Sequence, residues 1–346
     1  MPKDDRKIGV CVIGSGRAGM IHARNFARRV SHARLAALVD PHGETLHAAC
    51  RELEVETGYA DFREALADPR VDAVVVVTPT ALHREVVLQA AAAGKHVLCE
   101  KPMAMDVRES DDMIDACAAA GVKLQVGFMR RFDESFLAAK ERVEGGEIGE
   151  VVLVKSLTHG PSIPQEWMYD IRKSNGPLAE VNSHDIDAVR WFVGSEIEEV
   201  YALGGNFRCP QAAQKYPDFY DNVAMVCRFA DGRQGFIDGA VSVGYGYDAR
   251  MEVVGTRGVI FVGRKEQDSV VGCSSDRGIA QRFVGSWRTL FTEAYYGEDQ
   301  DFVDCILEDR QPRVRGIDGR MAVAVVNAGN RSIVERAPVR VEGRKA

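Results

Sequence analysis

The chain has 346 residues, of which 46% are hydrophobic and 27% charged, and its 51 acidic and 44 basic residues give a formal net charge of -7. The length exceeds the size at which one hydrophobic core usually stops growing, so two globular domains are expected. The apolar and charged fractions are those of a chain that folds, not of a disordered one. No basic block indicates a nucleic-acid partner, and the first apolar run, of about six residues, is too short for a signal peptide or membrane span. We therefore expect a cytoplasmic protein with no membrane partner.

Up to about residue 128, short β-rich segments alternate with helical ones, as in a parallel sheet covered by helices. The strand candidates are residues 8–13, 35–39, 73–77, 96–99 and 123–126. Helical segments between them include residues 20–30 and 83–93. The first half, residues 1–128, is therefore predicted to be a doubly wound α/β domain.

After a helix near residues 133–143 the pattern changes to longer alternating strands separated by glycines, which favours a mostly antiparallel sheet. The candidates are residues 151–158, 198–206, 223–229, 235–243, 249–254 and 259–262. Helical patterns return at residues 184–192, 298–307 and 318–331. We predict a second, α+β domain over residues 129–346. Helices would cover one face of its open sheet, and its last helix could pack back toward the first domain.

The eight cysteines include no CxxC pair, and several lie in apolar strand-like segments such as the one that ends at Cys99. This usage is typical of buried thiols in a reducing compartment. Histidines, cysteines and carboxylates nowhere fall at the spacing of a structural zinc site. We therefore predict no metal.

A glycine-rich turn follows the first strand and opens the first helix. GxGxxG alone is a common pattern, but this context is typical of a dinucleotide-binding Rossmann domain. Gly14 would allow the tight turn, Gly16 the approach of a pyrophosphate, and Gly19 the packing of helix on strand. We predict that these glycines, with Arg17 and Ala18 of the same turn, bind the cofactor.

Asp40 ends the second strand, about 20 residues beyond the last of these glycines. A carboxylate there can accept hydrogen bonds from both ribose hydroxyls and would repel a 2'-phosphate, which favours NAD over NADP as the cofactor. The alternative is a turn residue before Pro41. A positive charge on His42 would weaken the discrimination against NADP.

The third strand leads into Thr78-Pro79-Thr80, and His83 lies near the start of the next helix. Ligands of a doubly wound sheet lie beyond the carboxyl ends of its strands, so Thr78, Pro79 and His83 are predicted to line the cofactor cleft. Capping of the helix by Thr78 and Thr80 is an equally good interpretation.

Glu100-Lys101-Pro102 follows the fourth strand, again on the ligand side of the sheet. A lone lysine in a loop is usually solvated, but the preceding strand is apolar and Pro102 restricts the backbone after Lys101, through a cis bond or otherwise. These neighbours favour a functional lysine.

Glu180 and His184 lie four residues apart, at the start of an amphipathic segment, where that spacing puts both groups on one helix face. Oxidation of an alcohol requires a base for the hydroxyl proton, and histidine titrates near neutral pH. The alternative is a structural His184 whose ring nitrogens only form hydrogen bonds at the start of the helix.

Four segments, IGSGRAGMIHA, VTPTALH, CEKPMA and GFMRRFD, occur here in the order of the glucose-fructose oxidoreductase/inositol dehydrogenase (Gfo/Idh/MocA) family, which the chain resembles over nearly its whole length. EKP after the sheet is the most specific of these. Further segments are similar to bacterial myo-inositol 2-dehydrogenases, namely SHDIDAVRWFVG, YGYDARMEVVGTRGVI and WRTLFTEAYYGEDQDFVDCI.

The resemblance implies an oxidoreductase in which Lys101, Glu180 and His184 surround the reacting hydroxyl of a polyol or sugar. His184 would take the proton, Lys101 would stabilise the alkoxide, and Glu180 would hold the substrate or orient the pair. The family usually has Asp at the position of Glu180. One extra methylene could change which hydroxyl is held.

The resemblance also places Met129 and Arg130 near the nicotinamide, Glu100 in the cofactor site, and Tyr245 and Trp287 near the polyol. Met129 is also a candidate substrate contact, and His159 is a weaker one. A solvated helix start is the alternative for Arg130 and Arg131.

The same family contains NAD-dependent glycoside hydrolases, which oxidise a sugar transiently, and a non-catalytic NAD-binding regulator is a third possibility. Intact Lys101 and His184 disfavour a regulator. A homotetramer packed through the open face of the second sheet is also implied, although those strands could equally be covered by their own helices.

Overall fold

The computed structural model describes residues 7–344, which divide into two compact units. The first contains the residues up to Phe132 together with Glu293–Arg320, and the second contains Asp133–Thr292 together with the residues from Met321 onward. The segment Glu293–Arg320 of the C-terminal half therefore belongs to the first unit.

The first unit is built on a six-stranded parallel sheet with the order β3-β2-β1-β4-β5-β6. Its strands are β1 (Ile8–Ile13), β2 (Ala33–Val39), β3 (Gly58–Tyr59), β4 (Ala73–Val76), β5 (His96–Glu100) and β6 (Leu124–Gly127). Its helices are α1 (Gly19–Arg28), α2 (Gly43–Leu53), α3 (Phe62–Ala67), α4 (His83–Ala92) and α5 (Val107–Ala119). The strand order reverses between β1 and β4, so the predicted doubly wound domain is confirmed.

The strands of this sheet read as continuous apolar segments because helices cover both faces of a parallel sheet. Every residue of β4 is buried, for example, and Val75 packs in one cluster with Val12, Leu38 and Leu98. Phe302 of the segment Glu293–Arg320 belongs to the same cluster.

The second unit contains a seven-stranded sheet with the order β12-β11-β7-β10-β9-β8-β15. Its strands are β7 (Val151–Gly160), β8 (Ile197–Gly205), β9 (Asn222–Phe229), β10 (Gln234–Val241), β11 (Asp248–Gly255), β12 (Val259–Val262) and β15 (Val339–Arg340). Only the pairing of β7 with β10 is parallel among those described, so the predicted mostly antiparallel sheet is confirmed.

The helices of the chain after residue 133 are α6 (Glu134–Glu144), α7 (Glu166–Tyr169), α8 (Ile171–Ser174), α9 (Gly176–Glu180), α10 (Ser183–Val193), α11 (Trp287–Leu290), α12 (Thr292–Leu307) and α13 (Gly316–Glu335). The boundary between the units falls near the start of α12 and inside α13. Within the second unit, α10 packs on β7, and Ser332 of α13 accepts a hydrogen bond from the backbone N–H of Ala202. Helices α10 and α13 cover one face of the second sheet.

Side-chain alternation leaves the other face of the second sheet open. Leu203, Val226 and Phe261, on three different strands, are 58%, 51% and 71% exposed. A hairpin formed by β13 (Glu266–Ser274) and β14 (Gly278–Phe283) was not predicted, because its residues are nearly all exposed and show no alternation of apolar and polar types.

No helix within residues 7–344 is long and apolar enough to span a membrane. All eight cysteines are free; six are buried, Cys50 is partly buried, and Cys273 is exposed in the hairpin. The prediction of buried thiols is thus confirmed for six of them.

Candidate active site

The glycine turn has the geometry that its spacing predicts. Gly14 adopts φ +105°, and a Cβ on Gly19 would lie 1.8 Å from the carbonyl oxygen of Gly14, so neither position accepts a side chain. A Cβ on Gly16 would meet nothing within 4 Å. The side of Gly16 is therefore open to a ligand, and Arg17 next to it is exposed. This open cradle at the start of α1 fits a dinucleotide pyrophosphate.

Asp40 follows β2, with its carboxylate directed toward this turn. One oxygen accepts a hydrogen bond from the backbone N–H of Ser15 at 2.9 Å, and the other accepts one from the N–H of His42 at 2.9 Å. The second bond is the turn role that was the alternative interpretation. The turn role does not exclude the predicted one, because the oxygen that accepts from Ser15 is not the one that accepts from His42. The carboxylate is held where a ribose could bind.

His83 is buried and joins the turns that follow β4 and β5. Its Nε2 lies 2.8 Å from the carbonyl oxygen of Thr78, and its Nδ1 lies 3.0 Å from that of Pro102. Burial lowers its pKa, although the three backbone carbonyls around the ring oppose this. With 1% exposure the ring has almost no surface for a ligand, so its placement favours positioning of the two turns over direct contact.

Glu100 and Lys101 lie at the carboxyl end of β5, and the Lys101–Pro102 peptide bond is cis. The carboxylate of Glu100 is turned inward, where its Oε2 accepts a hydrogen bond from the backbone N–H of Lys101 at 2.9 Å. Gly127 of β6 leaves room for it, because a Cβ there would lie 2.9 Å from the carboxyl carbon. Glu100 therefore supports the turn that carries Lys101.

Met129 and Arg130 lie in the 3-10 turn Met129–Phe132 after β6, and each is 1% exposed. Arg131 is also buried and forms a 3.0 Å ion pair with Asp318. The alternative interpretation of these arginines as a solvated helix start is wrong, because segment Glu293–Arg320 covers Arg131 within the first unit.

Glu180 and His184, in the second unit, do not share a helix. Glu180 is the last residue of α9, and His184 lies in the first turn of α10 after a break at Val181 and Asn182. The predicted single helix face is therefore wrong in detail, although both residues lie where α9 is joined to α10.

Sequence reasoning missed the polar anchor of α10. Asp185 accepts hydrogen bonds from Ser156 of β7 at 2.6 Å and from Asn182 at 2.8 Å, and Asn182 and Asp185 are fully buried. Asn182 also fills the space over Gly239 of β10, where a Cβ would lie 2.0 Å from its amide oxygen. The signal was available, since an aspartate within an apolar helix is buried only when it has partners.

His159 and Tyr245 form a hydrogen-bonded pair, and His159 Nε2 lies 3.0 Å from a carboxylate oxygen of Asp238. Ser156, which contacts α10, and His159 differ by an odd number of residues along β7, so they lie on opposite faces of the sheet. His159 is therefore on the open face, away from α10. Trp287 is the first residue of α11.

His22, Glu100 and Glu298 bring potential metal-ligand atoms within 4.8 Å of one another. The sequence spacing gave no sign of this cluster, because its members come from α1, β5 and α12. His22 Nε2 and Glu100 Oε1 are 3.1 Å apart and pair directly with each other. The absence of a metal stays a prediction.

The fold and the cradle define a class: a dinucleotide-dependent oxidoreductase. Residues 8–128 match the oxidoreductase family with the NAD-binding Rossmann fold, and residues 136–261 match the GFO/IDH/MocA C-terminal domain. The chain belongs to the GFO/IDH/MocA family of NAD-dependent oxidoreductases.

Two relatives that are similar over nearly their full length are inositol 2-dehydrogenases. The chain is 35% identical to myo-inositol 2-dehydrogenase of Thermotoga maritima, covering 96% of this chain and 98% of the relative. It is 33% identical to the NAD(+)-dependent scyllo-inositol 2-dehydrogenase of Bacillus subtilis, covering 99% and 98%. The structure of scyllo-inositol dehydrogenase from Lactobacillus casei with NAD(H) and scyllo-inositol matches with a TM-score of 0.88 at 28% identity, covering 96% and 99%.

Proposed function

We propose that this protein oxidises one secondary alcohol of a cyclitol, with myo-inositol as the first candidate, to the ketone and transfers the hydride to NAD. The observation that carries the proposal is the likeness to inositol 2-dehydrogenases over 96% or more of the chain. The cradle at Gly16 and the fixed carboxylate of Asp40 support the choice of cofactor.

Side chains of the protein would transfer the proton of the substrate hydroxyl, while bound NAD would accept the hydride. In oxidation the O–H and C–H bonds of one carbinol break and its C=O bond forms. We assign the hydroxyl proton to His184, stabilisation of the developing alkoxide to Lys101, and orientation of the substrate to Glu180. The resemblance implies that Met129 and Arg130 lie near the nicotinamide, but each is only 1% exposed, which favours support of the site over direct contact. It also implies that Tyr245 and Trp287 contact the polyol, although Tyr245 pairs with His159 on the open sheet face.

We expect Glu180 to be the residue most able to change specificity, because the family resemblance implies the shorter aspartate at this position. An assay of NADH formation at 340 nm with myo-, scyllo- and chiro-inositol, glucose and related sugars tests the function directly. We expect one cyclitol to dominate, and we expect Glu180→Asp to change the relative rates among the cyclitols. Bound NAD with no net NADH across the panel would reject the dehydrogenase function and favour transient oxidation in a hydrolase.

We also infer a homotetramer that packs through the open face of the second sheet. This face exposes Leu203, Val226 and Phe261 around the ion pair of Lys155 with Glu252, a mixture typical of subunit interfaces. Such interfaces exclude water from apolar side chains, and the exposed hairpin 266–283 would extend this one.

Light scattering at micromolar concentration tests the assembly. Phe261→Glu should reduce the mass, whereas Val334→Glu, a matched change at a 67% exposed position of α13, should leave it unchanged. A wild-type monomer at that concentration rejects the tetramer. In this assignment residues 1–128 bind the cofactor and supply Lys101, and residues 129–346 supply the other substrate contacts and bind partner subunits. The free buried thiols fit a cytoplasmic location.

A further inference from the structure

Four ionisable side chains meet in the interior of the first unit, behind the turn that carries Lys101. His22 comes from α1, Glu100 from the end of β5, and Glu298 and Asp299 from α12. Glu100 is 5% exposed and the other three are fully buried. Charged groups are buried only where they are paired, so the protonation of this cluster is constrained by its geometry.

Both ring nitrogens of His22 face carboxylates. Nδ1 lies 2.6 Å from Asp299 Oδ1, and Nε2 lies 3.1 Å from Glu100 Oε1. A neutral imidazole can donate through only one nitrogen, whereas the imidazolium donates through both. The other oxygen of Asp299 accepts a 2.8 Å hydrogen bond from Asn25, which fixes that carboxylate. The arrangement therefore fits an imidazolium held between two carboxylates.

Burial raises the pKa of Asp299 although His22 opposes this, but the shifts of His22 and Glu100 agree with the geometry. Burial acts to lower the pKa of His22, but the charge of Asp299 and the hydrogen bonds that the ring donates to Asp299 and Glu100 outweigh it, so the pKa is raised well above its ordinary value. Burial is the largest influence on the pKa of Glu100, but the hydrogen bond and charge of His22 outweigh it and lower the pKa. The edge of the Tyr295 ring packs against the imidazole, with ring centroids 5.4 Å apart.

Glu298 completes the cluster, and its surroundings favour the neutral acid. Within the described chain neither of its carboxyl oxygens has a hydrogen-bond partner. Burial, and then the charges of Glu100, Asp299 and Asp301, raise its pKa well above the ordinary value, although His22 opposes this. One cation thus compensates the two carboxylates that contact it, and loss of its proton would leave both uncompensated.

The cluster reaches the Lys101 turn through Glu100. Its Oε1 faces His22, and its Oε2 accepts the 2.9 Å hydrogen bond from the backbone N–H of Lys101. Gly127 provides the space in which this carboxylate sits. The imidazolium therefore fixes the carboxylate, and the carboxylate fixes the backbone from which the Lys101 side chain extends.

We propose that His22 is a positioning residue for Lys101, acting through Glu100, and that it must be protonated to do so. The inference rests on the proposed function in one respect, namely that Lys101 acts on the substrate. Loss of the His22 charge would release the Glu100 carboxylate and loosen the Lys101 turn, and displacement of a catalytic group by about 1 Å can cost about 100-fold in rate.

His22→Gln is the first test, with His47→Gln, an exposed histidine of α2, as the matched control. We expect kcat to fall about 10- to 100-fold in His22→Gln while NADH affinity and KM stay within about threefold, because only the turn is disturbed. Thermal melts and NADH binding show whether the variant is folded. Wild-type kcat in folded His22→Gln would overturn the proposal.

Asp299→Asn gives a second measurement that a purely structural role would not change. It keeps the shape of the side chain but removes the charge that keeps His22 protonated, so the alkaline limb of kcat should move to lower pH. His47→Gln should keep the wild-type profile. An alkaline limb that is unmoved in Asp299→Asn would overturn the proposal.

Hydrogen exchange of the peptide around residues 96–106 provides a readout without turnover. We expect faster exchange at Lys101 in His22→Gln than in wild type or His47→Gln, because the acceptor of that N–H is released. If wild-type protein is inactive across the cyclitol panel but this difference appears, the proposed function fails and the positioning stands. Equal exchange in all three proteins refutes the positioning.

Discussion

The carboxylate of Asp40 accepts a 2.9 Å hydrogen bond from the backbone N–H of Ser15, which ties the end of β2 to the glycine turn after β1. The other oxygen of the carboxylate is held by the N–H of His42. The acid is thus oriented within the protein itself. Preorganisation of this kind reduces the cost of ordering groups when a ligand binds.

Asp40→Asn is expected to weaken the preference for NAD over NADP. The single amide oxygen can accept from Ser15 or from His42 but not from both. The charge that repels a 2'-phosphate is also gone, so the NAD/NADP ratio of kcat/KM should fall about tenfold or more. The ratio should fall further in Asp40→Ser, because the shorter side chain no longer accepts the hydrogen bond from Ser15. Steady-state rates with both cofactors measure this. An unchanged ratio in both variants would show that another residue reads the ribose.

Two alanine substitutions in the glycine turn should have different consequences. Gly16→Ala adds a methyl group to open space, so the protein should fold normally but bind NADH more weakly, since that space is where the pyrophosphate approaches. Gly19→Ala places Cβ 1.8 Å from the Gly14 carbonyl oxygen and should lower the melting temperature. Melting curves and NADH fluorescence titrations separate the two effects. Normal NADH affinity in Gly16→Ala would contradict the binding assignment.

Lys101→Ala should abolish most turnover while leaving NADH binding nearly intact, because the cradle and Asp40 remain. Loss of one group that stabilises developing charge typically costs about 100- to 1000-fold in kcat. Lys101→Arg keeps the charge but changes the donor geometry and should recover only part of the rate. Single-turnover rates and NADH titrations test this. Retention of most activity in Lys101→Ala would remove this residue from the mechanism.

Glu298→Gln should stabilise the protein increasingly as pH rises. The folded-state pKa of Glu298 is raised above its ordinary value of 4.5, so its favourable contribution is complete below that value and is lost as pH rises toward the folded-state pKa. Glutamine resembles the neutral acid and does not titrate. Melting temperatures from pH 5 to 8 should diverge in favour of the variant, with the exposed Glu54→Gln as control. A constant difference across this range would contradict a buried neutral Glu298.

The sequence by itself determined most strands of both domains and the glycine turn, but not the exposed hairpin of β13 and β14. Strands such as Ile8–Ile13 were predictable because side-chain alternation and apolar runs reflect local backbone geometry. The glycine turn and Asp40 were predictable for a related reason: each stands at the end of a strand, and strand ends of a parallel sheet meet at one edge. Local context marked Lys101 and His184 as candidates, and the family resemblance added their catalytic roles.

Only the tertiary structure decided which side chains meet. His22 and Asp299 are 277 residues apart in sequence, and no periodicity links them. The break between Glu180 and His184 and the placement of His159 on the open sheet face depend on packing between elements. Burial and charge compensation act through space rather than along the chain, so only the fold raises the pKa values of Glu298 and His22.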